Sequence, residues 1–179
     1  MNVKYLFVCI TAISLSGTYI MSRSHSHNQL LNKTAPLFKS KAVFPDGTVG
    51  DFNLKDYIGK KIVIYFYPMD DSPGCTTQAK KFRDEIEKLQ NESITVIGVS
   101  SDSIKSHLAF QKKLGLPYPL ISDEEANHSI SKQYDTTGFF FGKRKTFLVN
   151  KKGIIFKVFD KVDIKNQIND ILDSFKKHA

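Results

Sequence analysis

Residues 62–67, Ile62-Val63-Ile64-Tyr65-Phe66-Tyr67, are apolar at every position. A strand with one wet face alternates apolar and polar residues; a run without a polar face must be covered on both sides. Residues 94–99, Ile94-Thr95-Val96-Ile97-Gly98-Val99, read as a second such strand. Two strands of this kind predict a central sheet sandwiched between helices.

The rest of the chain supplies the edges and the covers. Residues 41–52 read as a β-hairpin turned at Pro45-Asp46-Gly47. Residues 145–149 and 154–159 read as another, turned by Asn150-Lys151-Lys152-Gly153. A helix is predicted over residues 75–90, with Ala79, Phe82, Ile86 and Leu89 spaced 3, 4 and 3 apart. A second opens near Asp102 or Ser103 as N-cap and carries Ile104, Leu108 and Leu114. The last spans residues 165–177, with Ile168, Ile171, Leu172 and Phe175 inward, and a short one is expected near residues 127–134. The order gives an α/β fold of thioredoxin-like arrangement: a central mixed β-sheet flanked by helices, with an N-terminal β-hairpin.

The chain has 179 residues, enough for one domain and a short extension. Its formal net charge is +8, but the lysines and arginines are scattered among acids. That is a solvated basic surface, without the stripe or module of a nucleic-acid binder. Residues 1–21 stand apart. Lys4 precedes the run from Tyr5 to Gly17, which is apolar and then rich in small residues. This reads as a secretory signal peptide, or failing cleavage a membrane anchor, so the protein is expected to be exported or membrane-anchored. Residues 22–32 are polar and read as a linker, leaving residues 33–179 as the domain. His25 and His27 lack a supporting cysteine or carboxylate cluster, so neither a metal nor a cofactor is expected.

Cys75 is the only cysteine beyond Cys9. It follows a Pro/Gly turn and stands at the start of a predicted helix, whose free N–H groups and partial positive charge favour a thiolate. Alone, such a cysteine is more often an inert core residue. Here the shaped turn, and the Ser72 hydroxyl three residues before the thiol, argue for reactivity. No second cysteine lies at Cys-x-x-Cys spacing, which excludes a dithiol oxidoreductase. His107 and His128 sit in no motif and read as helix-surface residues.

The segment Phe66-Tyr67-Pro68-Met69-Asp70-Asp71-Ser72-Pro73-Gly74-Cys75-Thr76-Thr77-Gln78 resembles the active-site signature of peroxiredoxins, Pro-x-x-x-Thr/Ser-x-x-Cys, in its Q-type or bacterioferritin-comigratory form. The likeness runs over roughly residues 33–175 and continues in Val96-Ile97-Gly98-Val99-Ser100-Ser101-Asp102, in Leu116-Pro117-Tyr118-Pro119-Leu120-Ile121-Ser122-Asp123 and in Arg144-Lys145-Thr146-Phe147-Leu148-Val149. It implies a thiol-dependent peroxidase acting on hydrogen peroxide and organic hydroperoxides through a cysteine sulfenic acid. Cys75 matches the peroxidatic cysteine, Ser72 the hydroxyl that holds the peroxide, Pro68 the proline that shields the sulfur, and Arg144 the arginine that pairs with thiolate and peroxide. Many Q-type members carry a resolving cysteine five residues after the first; here that position is Lys80. The resemblance is therefore to the one-cysteine version, recycled by an external thiol such as thioredoxin, glutaredoxin or a low-molecular-weight thiol. A peroxide sensor or a chaperone-like binding module on the same fold is the alternative, and either a monomer or a homodimer is compatible. Phe139-Phe140-Phe141 reads as packing, with a hydroperoxide pocket wall or a dimer surface left open.

Overall fold

The computed structural model describes residues 29–138 and 142–178. The expected leader or anchor, most of the linker, Cys9, His25, His27 and the Phe139-Phe140-Phe141 run lie outside the described residues. Residues 29–32, the end of the expected linker, form a turn, and the Asn32 N–H donates to the Ile155 carbonyl.

Seven strands form one mixed sheet in the order β2-β1-β5-β4-β3-β6-β7. β1 (Lys39–Val43) and β2 (Val49–Asn53) are the expected N-terminal hairpin. β3 (Lys61–Phe66) and β4 (Ile94–Ser100) are parallel neighbours at the centre, and β5 (Leu120–Ser122) continues the parallel set. β6 (Lys145–Val149) runs antiparallel to β3 and carries β7 (Ile155–Phe159) on its outer edge.

The apolar run of β3 divides as its pleat requires. Val63, Tyr65 and Tyr67 enter one core cluster with Ala79, Phe82, Phe110 and Ile171. Ile62, Ile64 and Phe66 enter the other with Phe38, Leu54, Tyr134 and Phe147. At roughly 1.5–3 kcal/mol per fully buried large apolar side chain, β3 anchors both layers. Gly98 on β4 permits this packing, because a Cβ there would lie 2.9 Å from the Tyr65 hydroxyl.

Besides β5, which the sequence reading did not include as a strand, three details differ from it. The helix expected over residues 75–90 begins earlier and breaks. α1 spans Pro73–Asp84, with Ser72 as N-cap, and α2 spans Ile86–Asn91. Glu85 interrupts them at φ −110° and ψ 12°, yet Ala79, Phe82, Ile86 and Leu89 still all pack on one core. α3 (Ile104–Leu114) has Ser103 as N-cap, as expected, but buries His107, Phe110, Gln111 and Leu114. Ile104 and Leu108 are only half-buried. His107 is thus a core residue and not a surface one, because Asp70 gives it a buried partner. α4 (Ser129–Gln133) and α5 (Gln167–Lys177) fall where expected, and α5 turns Ile168, Ile171 and Phe175 inward.

Candidate active site

The site grows from the C-terminal end of β3. The Tyr67 N–H donates to the Val99 carbonyl and keeps the chain on the sheet for one residue more. Pro68 then turns it away, half-buried. Asp71 takes φ 56°, Ser72 is extended, and Pro73 opens α1 at a position where its missing N–H costs nothing. Cys75 is therefore the third residue of the helix. Its N–H belongs to the first turn, which has no partner within the helix. No acidic side chain occupies that turn.

Cys75 is 1% exposed and packs in the cluster that holds Tyr65, Tyr67, Ala79 and Phe82. Arg144, just before β6, reaches it: Nη2 lies 3.2 Å from Cys75 Sγ. A fixed cation at this distance stabilises negative charge on sulfur. Gly74 makes room for the approach, since a Cβ there would meet Arg144 Nη2 at 3.3 Å. Nη1 of Arg144 donates to Gln78 Oε1. The flanking lysines are directed elsewhere. Lys143 Nζ is 3.3 Å from Asp135, and Lys145 Nζ is 3.0 Å from both Asp135 and Asp160. Burial opposes the charge of Lys145, but the hydrogen bonds to Asp160 and Asp135 outweigh it and hold its pKa above the ordinary lysine value. Arg144 makes no ion pair with a carboxylate among the described residues.

Of the four residues expected at the site, Cys75 and Arg144 are in direct contact. Ser72 lies one helical turn before the sulfur, and its hydroxyl donates to the Met69 carbonyl at 3.2 Å. Pro68 lies at the start of the same loop and borders a cavity of about 360 Å³ with Met69, Asp102 and His128.

Two groups escaped the sequence reading. The first braces the loop. Asp70, 6% exposed, accepts from the Tyr67 hydroxyl at 2.8 Å and the Ser106 hydroxyl at 2.8 Å, and faces His107 Nδ1 at 2.9 Å. Its backbone N–H donates to the Asp102 carboxylate at 2.9 Å. The second lies behind Arg144 and consists of Gln78, Gln167 and Thr146. The signal available for both was a polar residue on a core-facing helical stripe: His107 on α3 and Gln78 on α1.

A cysteine on the first turn of the helix that follows a central strand, met by an arginine at the start of a neighbouring strand, is the arrangement of a thiol-based redox protein on a thioredoxin-like sheet. The AhpC/TSA family profile matches residues 31–158. Peroxiredoxin Bcp of Bacillus subtilis is 40% identical over 131 residues, covering 69% of this chain and 82% of that protein. Chloroplastic peroxiredoxin Q of Sedum lineare is 38% identical over 144 residues, covering 71% of this chain and 76% of that protein. The reduced 2-Cys peroxiredoxin of Plasmodium vivax superposes with a TM-score of 0.76 at 28% identity, covering 83% of this chain and 98% of that one. The chain belongs to the AhpC/TSA family. It is a peroxiredoxin, a thiol peroxidase that takes a peroxide as substrate and a thiol as reductant, and it is similar to peroxiredoxins of the Bcp and Q types.

Proposed function

We propose that Cys75 is the peroxidatic nucleophile of a one-cysteine peroxidase acting on hydrogen peroxide and organic hydroperoxides. The observation that carries this reading is the 3.2 Å contact between Arg144 Nη2 and a sulfur on the first turn of α1. The thiolate attacks the distal peroxide oxygen. An S–O bond forms and the O–O bond breaks. The leaving oxygen departs as water or an alcohol once protonated, and Cys75 is left as a sulfenic acid. Low basicity alone does not make a thiolate fast, so the rate must come from donors aimed at both oxygens. Arg144, the Cys75 N–H and the Ser72 hydroxyl supply them. The Ser72 hydroxyl turns from the Met69 carbonyl to the peroxide, and Pro68 shields the sulfur from water.

Lys80 stands where a resolving cysteine would lie, and Cys75 is the only cysteine after Cys9. Recycling therefore uses two external thiols. The first condenses with the sulfenic acid, releasing water and forming a mixed disulfide. The second attacks that disulfide, frees Cys75 and leaves as the oxidised reductant. Thioredoxin, glutaredoxin or a small thiol fits this role, with the enzyme as a monomer or homodimer. Cys75→Ser should abolish peroxide consumption while circular dichroism stays native. Turnover near wild type would sink the reading.

The charged start and apolar run of residues 1–21 support export or membrane anchoring. Mass spectrometry of the native protein should find roughly the first 16–24 residues removed, or the chain in the membrane fraction. An intact soluble chain starting at Met1 would count against both.

A further inference from the structure

Behind Arg144 the polar side chains run in one direction. Gln78 Oε1 accepts from the guanidinium, and Gln78 Nε2 donates to Gln167 Oε1 at 2.9 Å. Gln167 Nε2 then donates to Thr146 Oγ1 at 2.8 Å. A guanidinium only donates, so Gln78 must present its oxygen to it, and that choice fixes the orientation of the next amide in turn. Gln78 and Thr146 are completely buried and Gln167 is 3% exposed. Water therefore does not replace a lost partner, and a broken link leaves a buried polar group unsatisfied. The path crosses α1 and α5 and returns to β6, two residues along from Arg144. The ring it closes ties the guanidinium to three elements of the fold.

We propose that Gln167, on the last helix and remote from the thiol in sequence, is a positioning residue for Arg144, acting through Gln78. This rests on the peroxidase reading, because it assigns Arg144 the work of holding thiolate and peroxide. Gln167 touches neither sulfur nor substrate. It fixes the Gln78 amide, which fixes one edge of the guanidinium, so that the other edge stays on Cys75 Sγ. Without it the Gln78 amide is free to rotate and Arg144 loses its second anchor.

The test is a double-mutant cycle on the full-length, reduced protein. Two rates are read at Cys75 by mass spectrometry: oxidation by hydrogen peroxide and alkylation by iodoacetamide. Gln167→Met keeps the length of the side chain without its polar atoms. It should slow oxidation roughly tenfold, and Arg144→Ala by at least as much. The double variant should oxidise no slower than Arg144→Ala alone, because the relay acts only through the arginine. A packing role would lower Tm but let the two losses multiply. Multiplying losses, or a wild-type oxidation rate for Gln167→Met, would overturn the proposal. Should Gln167→Met fail to fold, Gln78→Met breaks the adjoining link and enters the same cycle. If the wild-type thiol does not react with peroxide, the peroxidase reading fails. The alkylation cycle then decides alone: coupled rates keep the relay, and multiplying or unchanged rates discard it.

Discussion

The Asp70 carboxylate lies 2.9 Å from His107 Nδ1, and both side chains are shut off from solvent. The other ring nitrogen, Nε2, faces the Ile121 carbonyl at 3.3 Å. Both ring nitrogens therefore have a polar partner inside the fold. The pair pins the loop before Cys75 to α3. His107→Leu leaves the buried Asp70 carboxylate with hydroxyl donors alone and should cost about 2 kcal/mol, the scale of one hydrogen bond to a buried carboxylate. Urea unfolding would read this, and a loss below about 1 kcal/mol would show that the pair braces little.

Arg144→Ala should slow oxidation of Cys75 tenfold or more, on the order of one lost charge-assisted donor. Arg144→Lys should recover only part of that. A lysine keeps the charge but cannot bridge sulfur and Gln78 with two edges of one plane. Rapid quench followed by mass spectrometry gives the rates. An unchanged rate in the alanine variant would make Arg144 a structural residue only.

One equivalent of peroxide should leave a Cys75 sulfenic acid that dimedone traps, and an excess should drive it to sulfinic acid. Recycling should require added thiol and pass through a mixed disulfide on Cys75. Lys80 is exposed while Cys75 is buried, about 140° away around α1 at 3.6 residues per turn. In a Cys9→Ser background, Lys80→Cys should therefore form a disulfide only as the first turn of α1 unwinds. Recycling of the wild-type protein without any thiol would refute the one-cysteine scheme.

Burial raises the pKa of Tyr65, Tyr67, Tyr118 and Tyr134 above the ordinary tyrosine value. The folded state holds these protons where the unfolded chain releases them. Their contribution to stability is complete below about pH 10 and declines above it, as the unfolded state ionises first. Absorbance at 295 nm should show them titrating in one step that coincides with alkaline unfolding. Gradual ionisation in a protein still folded by circular dichroism would contradict this.

The strands were legible because their signals are local. Residues 62–67 are apolar throughout, and the Asp46-Gly47 turn closes a hairpin whose Gly47 takes φ 81°. β5 was missed as a strand because three residues are too few for a period to show. The α1/α2 break was missed because neither glycine nor proline marks residues 84–86. At the site, a motif resemblance named Cys75 and Arg144 together across 69 positions, and the fold places them in contact. Gln78, Gln167 and His107 were not found this way. Each looks like an ordinary polar residue until the fold supplies a buried partner from another element, and no spacing along the chain encodes that partner.

At 1% exposure, Cys75 is a lock that admits small keys first. Hydrogen peroxide presents two oxygens and little else, whereas a protein thiol such as that of thioredoxin brings a whole molecule. In the one-cysteine scheme the reductant waits for the first turn of α1 to open, so its apparent rate is the intrinsic rate multiplied by the open fraction. A second peroxide faces no such wait. The stiffness of one helical turn then sets how long the oxidised enzyme lives, and with it the odds between another cycle and irreversible loss.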